Sequence, residues 1–303
     1  MLFKLPPKSK NLNLAITFTL LVSVCTIITT LPLVPKSLEL NPTVKASFSN
    51  AKPLPVTKNL ASPDLTAQSV FIADMESGVV LYAKNPNARR RPASLTKIMT
   101  SIVAMDYYQE DSILKVGDGA RAVGSTAELK ANDSLKEETL LYALLVSSGN
   151  DAAVTLAENY PGGYNAFIQK MNEKVAALGL INTHFANVSG VESKNHFTSA
   201  YDITQMALFA LKRPLFRQIV STKKITLKSE KGFFYPLEST NELLGKPGIY
   251  GVKTGWTPSA GECLVTYVNR EDHPIVISVL GSEDRFGETE KLVNWVYENY
   301  SWE

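Results

Sequence analysis

Pro92-Ala93-Ser94-Leu95-Thr96-Lys97 stands at the mouth of an apolar run, Ile98 to Tyr108, and the rest of the chain is interpreted from it. On a helix, Ser94 and Lys97 share one face, roughly 5–6 Å apart at Cβ. An amine beside a hydroxyl is the minimum equipment for a serine nucleophile that works without histidine. The spacing alone is weak, since roughly one such match arises by chance in a chain of this length. It recurs at Ser112/Lys115 and Ser221/Lys224, neither of which opens a long apolar helix.

Working outward, Ser69-Val-Phe-Ile-Ala73, the turn Glu76-Ser77-Gly78 and Val79-Val-Leu-Tyr82 read as a hairpin. After the helix near Ser94–Tyr108, periodicity predicts a mostly helical stretch to about residue 220. Ser134-x-x-Glu137 has the spacing of a capping box for a helix Leu135–Val146. Ser147-Ser148-Gly149-Asn150 breaks that helix from the next, Asp151–Asn159. Further helices are expected over Asn165–Leu178 and Thr198–Lys212, the latter with Ser199 and Asp202 at capping spacing. Strands return at Lys224–Leu227, Ile249–Trp256, Glu262–Arg270 and Ile275–Leu280, before an amphipathic helix Glu288–Tyr300. Strands, helices, strands and a last helix imply an α+β fold. Its antiparallel sheet joins the N-terminal hairpin to strands from the far end, with an inserted helical subdomain and a cleft between the two.

Composition bounds the function. Residues 1–46 carry five lysines and one glutamate; without them, 26 basic residues face 28 acidic ones, a net of −2. A near-neutral folded part argues against nucleic-acid binding. Lys4, Lys8 and Lys10 precede a charge-free segment, Leu14 to Leu31, which reads as an N-terminal signal or membrane anchor (residues 1–34). The Pro-, Ser- and Asn-rich residues 35–66 read as a linker and 67–303 as the catalytic domain. The expected location is extracytoplasmic, with or without cleavage after Val44-Lys45-Ala46. Cys25 lies in the apolar segment, which leaves Cys263 alone in the exported part without a disulfide partner. Its alternating strand context marks it as a core residue. His184, His196 and His273 are the only histidines, and no H-E-x-x-H, G-x-S-x-G or complete P-loop occurs. No metal or cofactor is expected, and each histidine reads as a satisfied polar group.

What remains is a combination: Ser94-x-x-Lys97 opening a helix, Ser148-Gly149-Asn150 between two helices, and Lys253-Thr254-Gly255 on a strand. This is the order and context of the serine enzymes that react with penicillin; the S-x-x-K, S-D-N and K-T-G set is a known example for β-lactamases and penicillin-binding proteins. Pro92–Lys97, Leu145-Val-Ser-Ser-Gly-Asn-Asp151, His184-Phe-Ala-Asn-Val-Ser-Gly190 and Pro247-Gly-Ile-Tyr-Gly-Val-Lys-Thr-Gly255 together resemble low-molecular-mass penicillin-binding proteins. These are serine-type D-alanyl-D-alanine carboxypeptidases (peptidase family S11-like), and the likeness runs from about Ser69 to the C-terminus.

The resemblance implies a β-lactamase/transpeptidase-like fold, peptidoglycan stem peptides as substrates and β-lactams as inhibitors. By it, Ser94 is the nucleophile acylated by the penultimate D-alanine, and Lys97 its base. Ser148 relays the proton to the leaving amine, and Asn150 bonds the substrate amide. Lys253 and Thr254 hold the terminal carboxylate, Gly255 gives the peptide room, and the N–H groups of Ser94 and Trp256 form the oxyanion hole. A base must be neutral, and desolvation together with the Lys253 charge would lower the pKa of Lys97.

Strict alternation puts Lys253 and Thr254 on opposite faces of a strand, so both serve the cleft only on a twisted edge strand. Trp256 departs from relatives that carry histidine or a hydroxyl there. Arg285 reads equally well as a further carboxylate contact or as a structural salt bridge. A D,D-endopeptidase of the same family is the nearest alternative. A β-lactamase lacks its E-x-x-L-N glutamate here, and a non-catalytic sensor lacks a cytoplasmic signalling region. A Zn-dependent D,D-peptidase lacks ligands.

Overall fold

The computed structural model describes residues 53–303. Its centre is a five-stranded antiparallel sheet built from both ends of the chain. β1 is Pro55–Thr57, β2 Ser69–Asp74 and β3 Val80–Lys84; far downstream come β8 (Ile249–Thr257), β9 (Gly261–Arg270) and β10 (His273–Ser282). The order β3-β2-β10-β9-β8 leaves β8 at an edge. β2 pairs with β10 over Ser69↔Leu280 to Asp74↔Ile275, so the hairpin does join strands from the far end as the sequence implied.

All six residues of β2 are buried, because both faces of the sheet are covered. With a side-chain period of two, Phe71 and Ala73 face one apolar cluster shared with the helical block. Val70 and Ile72 face a second with Leu292, Val293 and Val296 of the closing helix, Arg285–Asn299. Burying a side chain of this size contributes about 1.5–3 kcal/mol, so the sheet is clamped from both sides.

Between β3 and β8 lies the inserted block: α1 (Thr96–Tyr107), α2 (Glu137–Leu145), α3 (Asn150–Glu158), α4 (Gly163–Ala177), α5 (Ala200–Leu211) and α6 (Pro214–Val220). The closing helix is α7 and ends in β11, Tyr300–Trp302. Ser199 caps α5 as expected, accepting from the N–H of Asp202 at 3.1 Å. Lys224–Lys228 is a strand (β6), and Phe234–Glu238 (β7) pairs with it. That partner was not expected, because Pro236 interrupts its pattern; a two-stranded edge tolerates the missing N–H. α6 was also not foreseen, although Pro214 at its first turn is a favourable start.

Two expectations need correction. Ser134 is not a helix cap. Ser134–Lys136 (β5) pairs antiparallel with Ile113–Lys115 (β4), and α2 begins only at Glu137, with Lys136 before it and no side-chain cap. The ladder with Lys115 claimed the serine, and the Glu137 carboxyl is buried instead of reaching back to a backbone N–H. The linker boundary at residue 66 is also late. β1 pairs with β11, Leu65 is buried, and the Glu288 carboxylate accepts the N–H groups of Thr66 and Ala67. The folded unit therefore begins by Leu54, whose backbone exchanges hydrogen bonds with Glu303. The N-terminal signal or anchor, the first part of the linker and Cys25 lie outside the described residues.

Candidate active site

Ser94 sits where α1 meets the edge of the sheet. Ala93 has φ +48° and opens a single 3-10 turn, Ala93–Leu95, ahead of α1. A non-glycine residue in that region costs on the order of 1–3 kcal/mol and persists only where its surroundings enforce it. Thr96 does part of this, donating its hydroxyl to the Ala93 carbonyl at 2.8 Å. Behind Thr96 stands His196, buried, with Nε2 2.8 Å from the Thr96 hydroxyl; its Nδ1 accepts the N–H of Ala186 at 3.0 Å. Burial pushes this imidazole down to about 4, so it stays neutral and supports the turn. His196 is a satisfied polar group, as expected, but an interior one.

In the first turn of α1, Lys97 has no solvent exposure. Its Nζ lies 2.9 Å from Ser94 Oγ, 2.7 Å from Asn150 Oδ1 and 2.8 Å from the Ser189 carbonyl oxygen. Burial is the main influence lowering its pKa well below that of an ordinary lysine, the Lys253 charge the second, and Asp151 opposes both. A neutral amine has two N–H groups and one lone pair. The Asn150 oxygen and the Ser189 carbonyl only accept, so they take both N–H groups and leave the lone pair facing the Ser94 hydroxyl.

Ser148 and Asn150 come from the break between α2 and α3. Ser148, with φ +61°, is nearly buried and turns the chain into α3. Asp151 fixes the loop opposite, its carboxylate accepting the N–H groups of Ala127 and Leu129 at 3.0 Å. Asn150 has a further part in the cluster: its oxygen holds Lys97 and its Nδ2 donates one N–H to the Val123 carbonyl at 2.6 Å, which leaves the second N–H of the amide.

β8 brings the third motif. Lys253 and Thr254 are both buried, on an edge strand whose register with β9 shifts between Ile249 and Val252. This satisfies the edge-strand condition that strict alternation had raised. Lys253 is held down to about 7, first by burial and then by the Arg285 charge. The Thr254 hydroxyl pairs with that of Thr240. A Cβ on Gly255 would stand 3.1 Å from Ser94 N and Pro92 O, so the strand runs directly against the serine turn. Trp256, the next residue, is exposed, with its backbone on that same edge. Arg285 donates from Nη1 to the Gly255 carbonyl at 3.1 Å, while its Nε is buried without a hydrogen-bond partner.

The three motifs thus converge on one cluster. Sequence reasoning assigned no role to Ser189, Gly190, Thr240 or Asp151. Ser189 acts through a backbone carbonyl and Thr240 through a distant loop, neither of which leaves a local pattern. Gly190 and Asp151 did stand inside motif stretches that could have drawn attention. Among the described residues, Cys263 is a buried free thiol in the core, and no cluster of three metal-binding side chains occurs.

A sheet covered by helices on both faces, with a lysine-paired serine at the start of a core helix, is the arrangement of a serine acyl-transfer enzyme. The chain belongs to peptidase S11, the D-alanyl-D-alanine carboxypeptidase family, which matches residues 56–284. It is 33% identical over 245 residues to the D-alanyl-D-alanine carboxypeptidase DacF of Bacillus subtilis, covering 77% of this chain and 63% of that relative. It is 30% identical over 245 residues to a D-alanyl-D-alanine endopeptidase of Escherichia coli, covering 78% and 79%. The Streptomyces K15 DD-transpeptidase structure superposes with a TM-score of 0.75 at 31% identity, over 79% of this chain and all of that one.

Gly190, with φ +90°, is the tightest point of the site: an added Cβ would stand 1.8 Å from the Ala93 carbonyl oxygen and 2.9 Å from Ser94 N. Gly190→Ala should therefore destabilise the fold by about 2–4 kcal/mol, seen as a fall in Tm of roughly 5–15 °C. An unchanged melt would show that the serine turn is not held against this glycine.

Proposed function

We propose that this chain is a serine D-alanyl-D-alanine carboxypeptidase that removes the terminal D-alanine from peptidoglycan stem pentapeptides through an acyl-enzyme on Ser94. The observation that carries this reading is the 2.9 Å contact between Lys97 Nζ and Ser94 Oγ, with the other two Lys97 partners fixed as acceptors. Ser94 Oγ attacks the penultimate D-alanine carbonyl as its proton passes to Lys97. The N–H groups of Ser94 and Trp256 receive the oxyanion. The C–N bond breaks as Ser148 gives its hydroxyl proton to the leaving D-alanine nitrogen and takes in exchange the proton held by Lys97. Water then hydrolyses the ester, its oxygen ending on the acyl carbon and its proton returning to Ser94 Oγ through the again neutral Lys97. Lys253 and Thr254 hold the terminal carboxylate, beside the room left by Gly255. Asn150 positions Lys97 through its oxygen in this scheme and offers the second N–H of its amide to the substrate amide carbonyl.

β-Lactams mimic the substrate and acylate the same serine. The reaction takes place outside the cytoplasmic membrane, with the basic and apolar N-terminal segment as signal or anchor. A second reading, D,D-endopeptidase, draws support from two relatives of that name, from E. coli and Pseudomonas aeruginosa, each 30% identical to this chain.

The full-length chain should release D-alanine from a stem-pentapeptide mimic and retain labelled penicillin. Ser94→Ala should abolish both, a loss of at least about 10³ in rate. Label retained by the variant would remove Ser94 from the nucleophile's role. Cleavage of cross-linked dimers into monomers, without release of D-alanine from the pentapeptide mimic, would favour the endopeptidase.

The pH profile follows from the two lysines. kcat/KM rises as Lys97 loses its proton, over a range well below that of an ordinary lysine. It falls as Lys253 loses its own, from about 7 in the free enzyme. A bound carboxylate raises Lys253, so the falling limb of kcat lies at higher pH than that of kcat/KM. Lys253→Arg, whose guanidinium stays charged, should move the falling limb of kcat/KM up by at least about one pH unit. An unmoved limb would assign that limb to another group.

A further inference from the structure

At the opposite end of α1 from Ser94, a second site is formed. Eleven residues separate Lys97 from Tyr108, about 16 Å along the helix axis at 1.5 Å per residue. There the end of α1, the turn after it, the first turn of α2 and the connection from α5 to α6 border an open-sided cavity of about 370 Å³, lined by Met105, Tyr108, Glu110, Glu137, Arg213 and Leu215 among others. No step of the proposed reaction uses these residues.

The anomaly is Glu137. It is 1% exposed, and its Oε1 is buried with no hydrogen-bond partner. Natural proteins rarely leave such an atom without a partner. The cations nearby are engaged elsewhere: Arg213 donates to the Asp106 carboxylate and to the Ile102 carbonyl, and Lys174 also pairs with Asp106. The Tyr108 hydroxyl donates to the Leu156 carbonyl at 2.8 Å. The groups that bear on Glu137 are the Glu110 and Glu138 carboxylates, which disfavour its ionisation, and Arg213, which favours it less strongly. Burial is the largest influence, and the carboxyl is pushed up to about 8. The protein therefore holds it protonated at neutral pH, for want of a positive partner.

We propose that this cavity is a binding site for a small organic cation, a primary ammonium on a short aliphatic stem, with the Glu137 carboxylate as its ion-pair partner. Glu110, exposed at the rim, adds a second negative charge, and Met105 and Leu215 supply apolar wall for the stem. An anion is disfavoured because Arg213 is already paired and Glu110 and Glu137 line the space. A metal ion is disfavoured because only two carboxylates converge there, beside apolar wall. Binding exchanges one cation for one proton: the ammonium enters, and the Glu137 proton leaves to solvent. Affinity must then rise with pH through the range where Glu137 ionises, while the ligand amine stays charged.

The test is calorimetric titration of the full-length chain with n-butylammonium chloride at pH 7 and pH 9, with n-butanol as the neutral isostere. We expect one saturable site, about tenfold tighter at pH 9 than at pH 7, and at least tenfold weaker and pH-independent in Glu137→Gln. D-alanine release by that variant should match the wild type. In a second readout that needs no variant, carboxyl-¹³C-Glu NMR at pH 7 should show the Glu137 resonance moving to its ionised position as n-butylammonium saturates. No saturable binding at pH 9, equal binding by Glu137→Gln, equal binding of n-butanol, or an unmoved Glu137 resonance would each overturn the proposal.

Discussion

The structure around Ser94 depends on the burial of two lysines that cannot comfortably both be charged. Lys97 has no exposed surface and Lys253 is 1% exposed. Taking a single ammonium out of water costs several kcal/mol even after local relaxation. The fold meets this by giving up one charge. Lys97, wholly buried and lying in the field of Lys253, is the one pushed toward the neutral form; Lys253, at the sheet edge, is left to meet an incoming carboxylate. The pair thus separates into a base and an anion anchor through environment alone, with no histidine in the cluster.

That electrostatic arrangement rests on backbone held in costly conformations. Ala93 and Ser148 both sit at positive φ, on either side of Lys97, and neither is glycine. What enforces them is close packing. Gly190 and Gly255 let two other segments reach the serine turn, while His196 and Thr96 brace it from beneath. The sheet beneath is clamped on both faces, so strain at the site is offset by apolar burial elsewhere. β8 gains its freedom from being an edge strand, which places Lys253, Thr254 and the Trp256 backbone along one rim.

Much of this was legible in the sequence where the pattern is local. The hairpin at Ser69–Tyr82, the break at Ser148 and the long strands near the C-terminus carry their signal in consecutive residues. The three motifs were separable from chance matches because each falls at a change of element. Ser189 was not legible in its role, since it contributes a carbonyl that any residue has. Thr240 meets Thr254 through a loop whose course no periodicity encodes. Glu137 misled for a related reason. Its spacing from Ser134 fits a helix cap, but the pairing of Ser134 with Lys115 decides that the helix starts later and that the carboxyl is buried. Tertiary pairing overrode a local signal, and an ionisable group was left in the interior.

The central claim, that Lys97 is a neutral amine poised by burial and by the charge of Lys253, can be measured directly. Lysine side-chain ¹⁵N NMR across pH, with Lys97 assigned by its loss in Lys97→Arg, reports the titration of that one nitrogen. The account predicts a midpoint well below that of an ordinary lysine, moving upward in Lys253→Met, where the opposing charge is gone. A Lys97 that titrates with the surface lysines, or that ignores the removal of Lys253, would contradict it.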